Sequence, residues 1–198
     1  MTIVNLEPAT RHMADLVAGV GDDLLDRPTP CLEYTLGDLL DHIGGLALAF
    51  TGAAAKSTSG PGSQRRQGEG DVANLDDDWR TRIPKDLEAL AEAWRDPEAW
   101  TGMTQAGGVD LPGEVAGLVV LDELMLHGWD LAQASGQKFE YDPGLLEVVH
   151  GFVQQWSGPS AEGQREGMFG PEVPVPSDAP LLDRVIGLSG RDPDWSAM

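Results

Sequence analysis

Residues 115–136, VAGLVVLDELMLHGWDLAQASG, form a helical apolar stretch that carries Glu123 and His127 four positions apart. Four residues is a little over one helical turn, so both side chains leave the same face as neighbours, roughly 5–6 Å apart at Cβ. Around them stand Val119, Val120, Leu121, Leu124, Met125 and Leu126. A carboxylate and an imidazole in such surroundings need a reason, because a buried charge must be paired or bound to a metal. A second apolar segment, TLGDLLDHIGGLALAF, carries His42 between Leu39 and Leu46. Its position three after one leucine and four before the other turns this imidazole toward a core as well. Two helices of this kind can meet in a bundle and offer Glu-x3-His and His to one divalent metal.

The rest of the chain supplies further helices. Residues 8–26 place Met13, Leu16, Val17, Val20 and Leu24 at helical spacing, and Pro28 and Pro30 end that run. Thr35 is a fitting N-cap for the His42 helix, with Asp38 three residues on as its capping-box partner, and the helix extends to about Lys56. Residues 57–71, STSGPGSQRRQGEGD, read as a polar Gly/Ser-rich loop. A helical segment follows around 74–96, interrupted or restarted near Ile83-Pro84, with Leu87, Leu90, Ala91 and Trp94 as its stripe. Residues 98–113, with Gly107-Gly108 in their middle, allow a small hairpin or an irregular loop. The Glu123/His127 helix then covers roughly 113–135, and Gly136 suits its C′ position. Asp142-Pro143 reads as N-cap and N1 of a helix to about Trp156. Beyond Gly158 the chain turns irregular, with an extended stretch around Pro174-Val175-Pro176. Ser177 or Asp178 is expected to cap a last short helix carrying Leu181, Leu182, Val185, Ile186 and Leu188. The expected fold is all-α: an antiparallel four-helix bundle with an irregular C-terminal extension and a short terminal helix, residues 1–198 making one domain.

Charge and composition narrow the partners. Lys+Arg total 13 against 33 for Asp+Glu, a formal charge of −20. Nucleic acid and anionic membranes both demand clustered positive charge, so neither is an expected partner. The pair Arg65–Arg66 lies in the glycine-rich loop. No stretch reaches about 18 uncharged apolar residues, and the N-terminus shows no basic region followed by an apolar one. The cytoplasm is the default location. The single cysteine, Cys31, cannot form an internal disulfide and reads as a small half-buried loop residue.

His42, Glu123 and His127 are the candidate metal ligands. Two histidines and a carboxylate leave at least one coordination position open, the arrangement of catalytic rather than structural zinc sites. On spacing alone each histidine could equally be a satisfied core residue, and Glu123 a boundary residue. Asp130, three after His127, could support a ligand from behind or face solvent near the helix end. Trp129 reads as packing or a pocket wall, Asp41 as solvent-facing, and His12 and His150 as structural or surface residues. Arg165 is a weaker candidate for the cleft.

The segment GLVVLDELMLHGWDLAQASGQ resembles the HGWDLA-x-A-x-GQ stretch of the DinB/YfiT-like superfamily. More closely, it resembles the group related to the metal-binding N-terminal domain of mycothiol-dependent maleylpyruvate isomerase. TLGDLLDHIGG after Pro30-Cys31-Leu32 is similar to that group's first histidine segment, and FGPEVPVPSDAPLLDRVIGLSGRDPDW to the C-terminal segment of its single-domain actinobacterial members. The resemblance spans roughly residues 10–195 with the segments in the same order. It implies a DinB-like bundle and a ligand set of His42, Glu123 and His127. Zinc is the favoured ion; nickel, iron and manganese accept the same donors.

The resemblance further implies a small thiol such as mycothiol as co-substrate and a small-molecule electrophile as its target. The expected class is a metal-dependent, thiol-linked transferase, isomerase or detoxifying enzyme. Metal-assisted hydrolysis through the same ligands, and a non-catalytic metal-binding or interaction module, are the alternatives. The resemblance does not extend to the further C-terminal domain of the two-domain isomerase, so it implies the site class and not that particular reaction. A homodimer is compatible with the many apolar positions.

Overall fold

A computed structural model describes residues 3–57, 70–158, 165 and 167–197. Its helices are α1 (Glu7–Ala18), α2 (Leu36–Ala54), α3 (Trp79–Ala93), α4 (Gly113–Ser135), α5 (Pro143–Val153) and α6 (Leu181–Leu188). One antiparallel hairpin joins β1 (Met103–Ala106) to β2 (Val109–Pro112), pairing Met103 with Pro112 and Ala106 with Val109. α1 packs on α3 and α4, and α2 packs on the same two helices. The four therefore close a ring around one core, the four-helix bundle anticipated from the periodicity. α5 lies outside on α4, and α6 lies on α5.

Local chemistry sets the two helices that matter most. Thr35 opens α2 with a reciprocal capping box: its hydroxyl accepts from the Asp38 N–H at 3.3 Å, and the Asp38 carboxylate accepts from the Thr35 N–H at 2.9 Å. Two of the helix's otherwise unpaired N–H groups are thereby satisfied. The other Asp38 oxygen accepts from the Val72 N–H at 2.8 Å, which ties the segment before α3 to the start of α2. α4 ends at Gly136, whose φ of +73° lets it close the helix in the left-handed conformation while its N–H reaches the Gln133 carbonyl. α4 is buried almost all round, as a helix enclosed by α1, α2 and α5 must be.

Some local expectations are corrected and others are met. The first helix stops at Ala18, well short of residue 26, because Gly19 and Gly21 interrupt it before a short 3₁₀ turn at Asp22–Leu24. α3 starts only at Trp79, and Pro84 sits inside it without breaking it. Of the two options for residues 98–113 the hairpin forms, with Gly107 and Gly108 both at positive φ as a tight two-residue turn requires. α5 begins at Pro143, with Asp142 accepting from the Leu145 N–H at 3.0 Å, and passes into a 3₁₀ turn at Gln154–Trp156. α6 has Pro180 at its N-cap and no side-chain cap, so neither Ser177 nor Asp178 fills that role. Most of the 57–71 loop, including Arg65 and Arg66, lies outside the described residues.

Beneath the hairpin the bundle is closed by tryptophan. The Trp94 indole N–H donates to the Phe50 carbonyl at 3.0 Å, and the Trp100 indole N–H donates to the Trp94 carbonyl at 2.9 Å. The Trp100 ring lies against α4 at Gly117, where an added Cβ would fall 2.3 Å from Cζ3. At the opposite end of the chain, the segment after Phe169 runs along α6, with the Val173 N–H on the Gly187 carbonyl at 2.9 Å. Gly190, at φ +87°, passes so close to Gly170 that a Cβ there would sit 2.6 Å from backbone carbon. This turn aims the next residue, Arg191, back into the bundle.

Candidate metal centre

α2 and α4 bring His42, Glu123 and His127 together, with one ligand-type atom from each inside a 4.8 Å cluster. Nε2 of His127 lies 3.0 Å from Glu123 Oε2, and Nε2 of His42 lies 3.4 Å from the same oxygen. The imidazole rings meet edge to face with centroids 4.7 Å apart. Both histidines are nearly buried, while the Glu123 side chain keeps 22% of its surface. The three donors thus converge at the floor of a cavity of about 440 Å³.

Each histidine is held from behind. Nδ1 of His127 faces Asp130 Oδ2 at 3.0 Å. Asp130 is fully buried and receives a forked pair from Arg191, Nε to Oδ1 at 2.7 Å and Nη2 to Oδ2 at 2.8 Å. A carboxylate on Nδ1 fixes the ring and its tautomer and leaves Nε2 directed at the cluster. The Tyr34 hydroxyl stands 3.4 Å from His42 Nδ1 and plays the corresponding part on α2.

The charges respond to this packing. Burial opposes ionisation of Glu123, yet the hydrogen bonds from His127 and His42 hold its carboxyl well below the usual carboxylate range. Burial alone would lower His127, but its bonds to Asp130 and Glu123 outweigh that and carry it up to about 9. Burial likewise opposes the Asp130 carboxylate, and the Arg191 charge more than compensates, keeping it low. Asp122, one residue before Glu123, is pushed well upward, first by burial and then by the Glu123 charge.

The donor set fits a divalent ion. Two imidazole nitrogens and a carboxylate oxygen suit zinc and its neighbours, and their hydrogen bonds to one another on Glu123 Oε2 are those a metal would replace. A second cluster, Cys31, His127 and Asp130, also falls within 4.8 Å. It is the poorer set, because Asp130 already pairs with Arg191 and with the very His127 nitrogen it would have to release. Burial pushes the Cys31 thiol up to about 11, helped by the Asp130 charge, so it is not a thiolate at neutral pH.

The weaker candidates sort clearly. Asp130 braces the His127 ring and does not face solvent. Asp41, expected on the wet side of α2, is buried and accepts from the Asp71 N–H at 3.2 Å, because the segment entering α3 covers that face. Trp129 is buried in the core and does not line the cavity. His12 packs edge-on to Phe139 and Tyr141, and His150 lies beside Arg184, so both are structural. Arg165 stays out of the cleft: its guanidinium donates to the carbonyls of Trp156, Gly170 and Leu188 and pins the C-terminal segment. Tyr34, Asp122 and Arg191 were not picked out from sequence. Arg191 stands in the LSGRDPDW segment, but nothing local marks it as the partner of Asp130.

The family described as mycothiol maleylpyruvate isomerase N-terminal domain matches residues 6–132. The uncharacterized protein Rv0738 of Mycobacterium tuberculosis (strain ATCC 25618 / H37Rv) is 31% identical over 182 residues, 90% of this chain and 91% of its own length. The uncharacterized protein MT0763 of the CDC 1551 / Oshkosh strain matches to the same extent. Among solved structures, the crystal structure of the mycothiol-dependent maleylpyruvate isomerase aligns with a TM-score of 0.63 at 16% identity, covering 94% of this chain and 86% of that one. A histidine-to-alanine mutant of that enzyme aligns with a TM-score of 0.57 at 17% identity, over 76% of this chain and 69% of its own. At such identities the structural likeness speaks for the fold, and the sequence match speaks for the family. The chain belongs to the mycothiol maleylpyruvate isomerase N-terminal domain family.

Proposed function

We propose that this protein holds a divalent metal, zinc first among the candidates, on His42, Glu123 and His127. With it the protein would join a small thiol such as mycothiol to an electrophilic small molecule. The observation that carries this reading is the convergence of two histidine Nε2 atoms on one carboxylate oxygen at the floor of a cavity. Bound there, the metal supplies a Lewis acid that lowers the pKa of a ligand's thiol or water. The chain's own residues do the rest. Asp130, locked by Arg191, keeps the His127 ring in one orientation, and Tyr34 abuts the His42 ring. Val119, Leu126, Met168 and Phe169 wall the cavity with apolar surface that limits water. Cys31 lines the same cavity as a protonated thiol, which favours a nucleophile brought in from outside.

Metal content measured on purified wild type, His42→Ala and His127→Ala tests the site. Stoichiometric metal in wild type and loss in both variants is expected; full occupancy in both variants would refute the ligand set. The reaction class is tested by incubating the zinc-loaded protein with electrophiles with and without mycothiol. Turnover that needs no thiol would replace this reading with metal-assisted hydrolysis.

A further inference from the structure

Asp122 is the cavity's unexplained polar group. It sits on α4 with 5% of its surface exposed and lines the cavity beside Glu123. Its Oδ1 is buried and has no hydrogen-bond partner among the described residues. The nearby charges are already committed: Arg191 to Asp130, and the two histidines to Glu123. Folds pair their buried polar groups, so one left unpaired in a cavity wall marks a place completed by something else. We propose that Asp122 is a ligand-binding residue, whose carboxyl hydrogen-bonds a hydroxyl or amide group of the small molecule held beside the candidate metal centre.

This assignment rests on the thiol-dependent reading and makes a paired demand that a structural role does not. A buried carboxyl oxygen with no partner among the described residues burdens the free protein, so removing it should cost the fold nothing while it weakens the ligand. The competing arrangement is a buried water shared with Tyr141, whose hydroxyl is also without a partner among the described residues. In that arrangement Asp122 would support the fold, and its removal would lower stability and leave the ligand alone.

Mycothiol, which is rich in hydroxyl and amide groups, is the probe. Its Kd would be measured by titration calorimetry on zinc-loaded wild type, Asp122→Ala and Asp122→Asn, alongside zinc content and Tm. Asp122→Ala should bind about tenfold or more weaker, the size expected for one lost hydrogen bond in a buried site. Its zinc content should be unchanged and its Tm no lower than wild type. Asp122→Asn keeps an acceptor oxygen and should stay within about threefold of wild type. Wild-type affinity in Asp122→Ala would overturn the assignment, and so would a fall in Tm, whether affinity holds or not. Failure of wild type itself to bind mycothiol would instead remove the thiol-dependent reading and this assignment with it.

Discussion

The Asp130–Arg191 pair offers the sharpest test of how the centre is held. Substituting Arg191 by Met leaves the Asp130 carboxylate, with no exposed surface, bonded only to His127 among the described residues. Breaking a buried ion pair from one side costs about 3–5 kcal/mol, because the remaining charge stays desolvated. The Arg191 side chain keeps 12% of its surface, which argues for the lower half of that range. At about 2–4 °C per kcal/mol for a chain of this size, Tm should fall by roughly 6–16 °C. Replacing both partners, Asp130→Leu with Arg191→Met, removes the stranded charge and should recover part of the loss, a coupling of at least about 2 kcal/mol. Urea unfolding of the four proteins at pH 7 with excess chelator measures this without any contribution from bound metal. The same Asp130 variant should lose roughly 10–100-fold in zinc affinity through the slackened His127 ring. A single-variant cost below about 1 kcal/mol, or strict additivity in the cycle, would show that the pair does not hold the centre together.

Two further outcomes follow from the geometry. His127 stands at about 9 when folded against an ordinary 6.5, so its contribution is fully present below pH 6.5 and lost as pH rises through 9. Metal-free protein should therefore lose on the order of 3 kcal/mol between those limits, and a flat urea-midpoint profile there, or one shared by His127→Gln, would count against the bonding described. Gly117→Ala drives a methyl to 2.3 Å from the Trp100 ring, which the Trp94 carbonyl holds in place. A net loss of about 1–3 kcal/mol in thermal unfolding is expected despite alanine's better helix propensity, and an equal or more stable variant would contradict the packing.

What the sequence disclosed tracks how local each relationship is. Thr35 with Asp38, and Gly136, mark the ends of α2 and α4 within a few residues, so those helices could be bounded closely. Glu123 and His127 declare a shared face by their spacing alone, and His42 follows from its leucine neighbours. Asp130 stayed ambiguous because a position three after His127 near a helix end suits a brace and a solvent-facing residue equally. Arg191 was illegible, since its partner lies 61 residues away across an irregular segment. Asp41 and Asp122 were missed for a related reason: on helices covered nearly all round, a polar side chain no longer implies a wet face.

The long reach from Asp130 to Arg191 also sets a schedule for the newborn chain. The family model's match ends at residue 132, after all three proposed ligands, yet Arg191, which locks the Asp130 carboxylate behind His127, is 61 residues downstream of Asp130. At about 5–20 residues per second, synthesis needs roughly 3–12 s to cover that gap. Until Arg191 is in place, Asp130 has only the His127 imidazole as a partner among the described residues. The proposed centre is braced in full only once α5 and α6 have been made and the Gly190–Arg191 turn has folded back onto Asp130, so its two halves mature at different times.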